Sequence, residues 1–252
     1  MKNAMLEVVG LSKAFGGVHA VRDVSFGVAA GEMVALIGPN GAGKTTCFNL
    51  IDGQLEPDGG SVRLAGERID RMPTRAIAHK GVGRTFQVAA TFASMTVREN
   101  VELALAAHAR RDARLVTTGA RRDRADADTL LASVGVADLA DAHCATLAYG
   151  DVKRVELALA LAGAPRLLLM DEPTAGMGIA SRAELMKCAT ARARRDNIAV
   201  LFTEHDMDVV FGSADRVIVL DRGAVIAEGP PAEIRANEHV QAVYLGLDEP
   251  AT

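Results

Sequence analysis

The sequence predicts an α/β fold whose mostly parallel sheet is interrupted by a helical insertion. Three observations lead there. Apolar runs recur at 33–37, 167–170, 198–202 and 216–220, the form of strands buried on both faces. Helix-compatible stretches at 45–51 and 181–195 alternate with them, as parallel strands require. From about 97 to 162 the composition turns rich in Ala, Leu, Arg and Glu, which reads as helix. With 252 residues, the chain is long enough for one large domain with its own core.

Taken in order, residues 5–37 are β-rich. The runs 18–21 and 24–28 carry β-branched and alternating apolar positions. Ala29-Ala30-Gly31-Glu32 is a turn before the strand Met33 to Ile37. A helix follows over 45–51. Pro57-Asp58-Gly59-Gly60 then turns the chain into a short strand at 61–64. Arg110 to Asp128 carries charges of both signs and reads as a solvated helical face or loop. Strands return at 167–170, 198–202 and 216–220, around the helical stretch 181–195. No internal repeat or low-complexity tract is present.

Charge and cysteine usage exclude several classes. A net charge of −4 argues against broad electrostatic binding to nucleic acid. Cys47, Cys144 and Cys188 lie far apart and form no C-x-x-C pair. Zinc and a disulfide framework are therefore not expected, and a reducing compartment fits. Cys47 is expected to be a small buried apolar residue. No targeting segment is expected, since Met1 to Glu7 lacks a long apolar stretch. The most apolar region, 157–170, is broken by Pro165 and Arg166 and falls short of the ~18 apolar residues of a membrane span. Any role at a membrane must come through a partner.

Residues Gly38-Pro39-Asn40-Gly41-Ala42-Gly43-Lys44-Thr45 complete the phosphate-binding pattern G-x-x-x-x-G-K-[ST]. Strand, glycine loop and helix gather backbone N–H groups and a helix N-terminus around one anion. Gly41 and Gly43 allow positive φ and close approach to phosphate oxygens. Lys44 offers a point charge to the β- and γ-phosphates, and Thr45 a hydroxyl to Mg²⁺. The bland alternative is an ordinary glycine turn before a helix; the presence of both the flanking strand and the helix favours the phosphate loop. Downstream, the apolar run Leu167 to Met170 ends in Asp171-Glu172. This aims two carboxylates off the strand edge where ligands bind in such sheets. Asp171 is placed to hold Mg²⁺, commonly through water, and Glu172 to polarise an attacking water.

These motifs, with five more in the same order, resemble the ATP-binding cassette (ABC) ATPases along nearly the whole chain. Phe15 matches the aromatic that stacks on adenine, with Ala20 nearby. Gln87, in Arg84-Thr85-Phe86-Gln87, matches a glutamine that senses Mg²⁺ and the membrane partner. Leu147-Ala148-Tyr149-Gly150-Asp151 stands at the family signature. Glu172-Pro173-Thr174-Ala175-Gly176-Met177 resembles the loop joining the two catalytic halves. His205 matches the switch histidine that touches the γ-phosphate. The stretches 83–87 and 95–101, Tyr149, the run 204–210 and Val243-Tyr244-Leu245-Gly246 look like the ATPase subunits of branched-chain amino acid importers. Two departures stand out. Ala148 and Asp151 occupy signature positions where the family has Ser and Gln, and Gly178 stands where it has Asp or Asn. The first removes a hydroxyl donor to the γ-phosphate, the second a side chain that reaches across the dimer.

The resemblance implies a P-loop NTPase (RecA-like) core at 1–87 and 163–230, opening on an antiparallel β subdomain. It further implies an α-helical subdomain at 88–162 carrying the signature, and a C-terminal helical extension at 231–252. ATP would be held by Phe15, Ala20, Gly38, Pro39, Asn40, Gly41, Ala42, Gly43, Lys44, Thr45 and Thr46. The signature of the opposite protomer would complete the site, and Thr45, Gln87 and Asp171 would hold Mg²⁺. Glu172, His205, Lys44 and Gln87 would carry catalysis. The implied protein is an ATPase that pairs with a second ATPase subunit, as a homo- or heterodimer, on the cytoplasmic face of the cell membrane, docked to permease subunits that work with a solute-binding protein and powering import. Competing classes lack their marks. A DNA-repair cassette would carry a long coiled coil or zinc cysteines, and a translation factor two cassettes. A nucleotide switch outside transport remains the alternative.

Overall fold

The computed structural model describes residues 4–85, 91–109 and 116–245. Strands β1 (Ala4–Phe15) and β2 (Val18–Ala29) form a hairpin, and β3 (Met33–Ile37) leads into α1 (Lys44–Ile51). Then come β4 (Gly59–Leu64), β5 (Glu67–Arg68), α2 (Thr74–His79) and β6 (Val82–Thr85). The helical insertion holds α3 (Val97–Ala109), α4 (Val116–Ser133) and α5 (Tyr149–Leu161). The alternating pattern resumes with β7 (Leu167–Asp171), α6 (Ile179–Asp196), β8 (Ala199–Thr203), α7 (Met207–Ser213), β9 (Arg216–Asp221) and β10 (Ala224–Gly229). It closes with α8 (Pro231–Ala236) and α9 (Glu238–Leu245).

Two sheets result. A four-stranded antiparallel sheet runs β2-β1-β4-β5, and a six-stranded sheet runs β10-β9-β3-β8-β7-β6. Within the larger sheet only the β9–β10 pair is antiparallel. Its central strands are apolar throughout because both faces are covered. Ala35, Ile37, Met170, Phe202 and Val219 face the helical side, against α5 and α6. Their neighbours Val34, Leu36, Leu169, Leu201 and Ile218 face α1 and the antiparallel sheet. Each of these Val, Leu, Ile, Met and Phe side chains contributes roughly 1.5–3 kcal/mol by leaving water. Cys47 is fully buried in that second core. Burial pushes its thiol up to about 12, so it packs as an apolar group.

Residues 18–21 and 24–28 belong to a single strand, β2. Asp23 between them has φ 51°, and its N–H donates to Ser12 Oγ at 3.0 Å. Pairing with β1 shifts register around Leu11 and Lys13 and then continues to Ala29. The polar pair Arg22-Asp23 thus marks an irregularity in the ladder, where the side chain of the partner strand satisfies the displaced N–H.

Candidate active site at the edge of the parallel sheet

Because β3, β7, β8 and β9 run parallel, their C-terminal ends share one edge. Ile37 leads there into the phosphate loop, and Asp171 lies beside Thr203 in register. The loop is shaped by close backbone approach. Gly41 and Gly43 have φ 81° and 103°. A Cβ on Gly43 would lie 2.3 Å from the Ala20 carbonyl oxygen, which leaves room for glycine alone. Ala20 therefore borders the loop through its backbone. Lys44, the first residue of α1, donates from Nζ to the carbonyls of Gly38 (2.6 Å) and Pro39 (3.1 Å). Burial lowers the pKa of its ammonium, and the charges of Glu172 and Asp171 oppose that shift. Loop and strand-end carboxylates thus share one electrostatic neighbourhood. Thr45 is exposed at the start of the helix, Thr46 half-buried and Asn40 exposed.

The carboxylates are organised by Thr203, a fully buried residue that sequence reading passed over. Its hydroxyl donates to Asp171 Oδ1 at 2.8 Å and accepts from the Glu172 N–H at 3.0 Å. Glu172 has φ 47°, a strained conformation for a residue with a Cβ. That backbone turns its carboxylate toward His205, whose Nε2 lies 2.8 Å from Glu172 Oε1. Two further ties join the same pair of loops. Glu204 Oε1 accepts from the Thr174 N–H at 2.8 Å. Arg182 donates to the Met177 carbonyl at 2.6 Å and pairs with Asp206, the N-cap of α7. The segment 172–178 is therefore tied to the segment 203–206. Gly178 leaves no side chain at its end, and Arg182 one turn into α6 holds the loop from within the chain.

The remaining candidates lie further out. Phe15 ends β1 with its ring 46% exposed, free to receive a flat apolar ligand, and Lys13 Nζ is 5.7 Å from the ring centre. Ala148 is the N-cap of α5, and its carbonyl accepts from the N–H groups of Asp151 (2.9 Å) and Val152 (3.1 Å). Leu147 packs on the helical core, and Asp151 pairs with Arg154 at 2.5 Å. Gly150 abuts Ser181 of α6, while the half-exposed Tyr149 ring stands against Gly176. The signature thus touches the joining loop of its own chain. Gln87 lies outside the described residues.

Among the described residues no group of three or more His, Cys, Asp or Glu side chains could hold a metal. The donors expected to serve a cation, the exposed Thr45 hydroxyl and the Asp171 carboxylate, are oxygens. They suit a hard cation that takes its other ligands from phosphate and water.

The family profile described as "ABC transporter" matches residues 21–175, and that described as "Branched-chain amino acid ATP-binding cassette transporter" matches 224–249. The high-affinity branched-chain amino acid transport ATP-binding protein BraF of Pseudomonas aeruginosa is 40% identical, over 98% of this chain and 99% of that protein. The lipopolysaccharide export system ATP-binding protein LptB of Escherichia coli K12 is 36% identical, over 97% and 98%. The solved ADP conformation of the ATP-binding cassette MJ1267 superposes with a TM-score of 0.84 at 28% identity, covering 96% of this chain and 99% of that one. The dimeric post-hydrolysis structure of the cassette MJ0796, bound to ADP and Pi, gives 0.77 at 25% identity, covering 90% and 99%. A profile over most of the chain and a near full-length relative at this identity have one meaning: the chain belongs to the ABC transporter family and is an ATP-binding cassette ATPase.

Proposed function

We propose that this ATPase dimerises around ATP and powers a membrane importer for branched-chain or related amino acids. The observation that carries the ATPase part is the shared edge where Lys44, Asp171, Glu172, Thr203 and His205 converge. The match of residues 224–249 to the branched-chain profile carries the substrate class. The 36% identity to an export protein makes general likeness to transport cassettes a weaker guide to direction.

In this reading Lys44 and the loop N–H groups hold the β- and γ-phosphates, and Phe15 stacks on the adenine. Mg²⁺, held by Thr45, Asp171 and Gln87, supplies charge neutralisation on the phosphates when bound. Glu172 accepts a hydrogen bond from the attacking water and orients it in line with the γ-phosphate. His205, joined to Glu172 at 2.8 Å, fixes that carboxylate and presents its other face to the phosphate. The signature residues 147–151 of a second copy close the site over the N-terminus of α5.

No helix among the described residues is long and apolar enough to cross a membrane. Transport then requires separate permease subunits, a peripheral place on the cytoplasmic membrane face and a solute-binding protein. A groove of about 510 Å³ between the parallel sheet and α3 suits the permease contact. Ile77, Leu159 and Pro165 line it, and Phe92 and Leu103 expose apolar surface at its mouth. The test is uptake of radiolabelled leucine by host cells. Deleting this chain should abolish high-affinity uptake, and a plasmid copy should restore it while a Lys44→Ala copy does not. Undiminished uptake in the deletion would leave the nucleotide-switch reading in its place.

A further inference from the structure

Arg84 lies on β6, opposite Leu169 of β7 in register. Its side chain is 9% exposed, yet it reaches two other elements. Nη1 donates to Asn49 Oδ1 at 2.8 Å and to Asp52 Oδ2 at 2.6 Å, at the end of the helix that begins with Lys44. Nη2 donates to Asp171 Oδ2 at 3.2 Å. The guanidinium carbon stands 5.7 Å from the centre of the Phe48 ring on α1. Since Asp171 Oδ1 accepts from Thr203, each oxygen of this carboxylate is oriented from a different neighbouring strand. Only a rigid planar fork with several donors spans α1 and β7 in this way; a lysine reaches one carboxylate at a time. Arg84 and Asp52 also line the apolar groove, so groove floor and site carboxylate share one guanidinium.

We propose that Arg84 is a positioning residue that locks the Asp171 carboxylate to the phosphate-loop helix and thereby sets how readily the ATP site takes up its divalent cation. The inference rests on the reading of Asp171 as a cation-holding carboxylate. In this arrangement Arg84 acts on the cation through Asp171, whose Oδ2 it holds. A partner that drew on the groove face of Arg84 would act on Asp171 through it.

The test separates geometry from charge. Arg84→Lys keeps the positive charge and loses the fork. Asp52→Asn with Arg84→Gln removes one cation and one anion, leaving the net buried charge unchanged and the fold protected. Asp52→Asn alone keeps the Arg84–Asp171 contact and serves as control. A fluorescent ATP analogue is titrated in EDTA, and MgCl₂ is then titrated against the bound analogue. In EDTA all four proteins should bind within about twofold of one another, because the phosphate loop is unaltered. The Mg²⁺ midpoint should rise about tenfold in both Arg84 variants, the lower end of what groups behind metal ligands contribute. In the control it should stay at the parental value. Unchanged midpoints in both Arg84 variants, with circular dichroism showing the fold intact, would overturn the proposal. So would a loss of EDTA binding in step with the midpoint, which would make Arg84 part of the phosphate-loop scaffold, or an equal shift in the control. A parental protein that binds no nucleotide in either condition would instead remove the reading on which the proposal rests.

Discussion

At the scale of single residues, the site is a set of charges whose positions are fixed by neighbours. Lys44 is nearly buried and donates to two loop carbonyls, so its ammonium is already gathered where phosphate oxygens would lie. The change Lys44→Ala removes the one mobile charge of the loop and leaves only backbone donors. Charge-assisted hydrogen bonds contribute about 1.5–3 kcal/mol each, so nucleotide affinity should fall by tenfold or more. Nucleotide titration by fluorescence measures this, and near-parental affinity would contradict the placement of Lys44 at the phosphates. Thr203 illustrates a role no motif announces. It is a β-branched residue at the end of an apolar strand, which local pattern reads as core. Only its register opposite Asp171 makes the hydroxyl an organiser of two carboxylates.

At the scale of elements, the α5 terminus gives the sharpest expectation. Ala148 is an N-cap without a side-chain acceptor, at backbone angles of −64° and 149° that a capping serine adopts readily. Ala148→Ser should therefore add a cap worth about 1 kcal/mol within its own chain, before any nucleotide or second copy is present. For a domain of this size the melting temperature should rise by roughly 2–4 °C. Calorimetry without nucleotide checks it, and an unchanged melting temperature would mean the hydroxyl points away from the helix N–H groups. The same hydroxyl is the one the wider family carries, so capping and any action across a dimer compete for one oxygen. Comparing the variant with and without ATP separates them.

At the scale of the whole molecule, the proposed function depends on two cassettes meeting around nucleotide. Glu172→Gln should keep the fold and ATP binding, because the amide is isosteric and the Glu172 N–H still reaches Thr203. It should nearly stop turnover, since an amide polarises water far less than a carboxylate. With ATP and Mg²⁺ this variant should then accumulate as a dimer in analytical ultracentrifugation, and the same variant carrying Lys44→Ala should stay monomeric. A Glu172→Gln protein that hydrolyses ATP at the parental rate would remove Glu172 from its proposed role. A variant that stops hydrolysis yet remains monomeric would put the two-copy model in doubt. The ties between segments 172–178 and 203–206 run within one chain, so both loops are already aligned before a second copy arrives.

Much of this was legible in the sequence because the relevant constraints are local. A buried parallel strand must be apolar throughout, and a loop that wraps phosphate must place glycine where backbone meets backbone. The runs at 33–37, 167–170 and 216–220, and Gly41 and Gly43 of the phosphate loop, are accordingly readable without a structure, whereas the approach of Gly43 to the Ala20 carbonyl is not. What depended on register and long-range pairing was not. The polar Arg22-Asp23 pair between two apolar runs is an irregularity within β2, since the satisfying hydroxyl of Ser12 comes from another strand. The short strands β6 and β10 carry too little pattern to announce themselves and exist because β7 and β9 offer them edges. Arg84 stood in plain view three residues before Gln87, but its reach to Asn49, Asp52 and Asp171 follows only from β6 lying beside β7 above α1. The sequence by itself determined the family, the phosphate loop and the order of the strands' chemistry, because these follow from local pattern. The tertiary structure alone decided which side chains hold the carboxylates in place, because those contacts join residues that are distant in the chain.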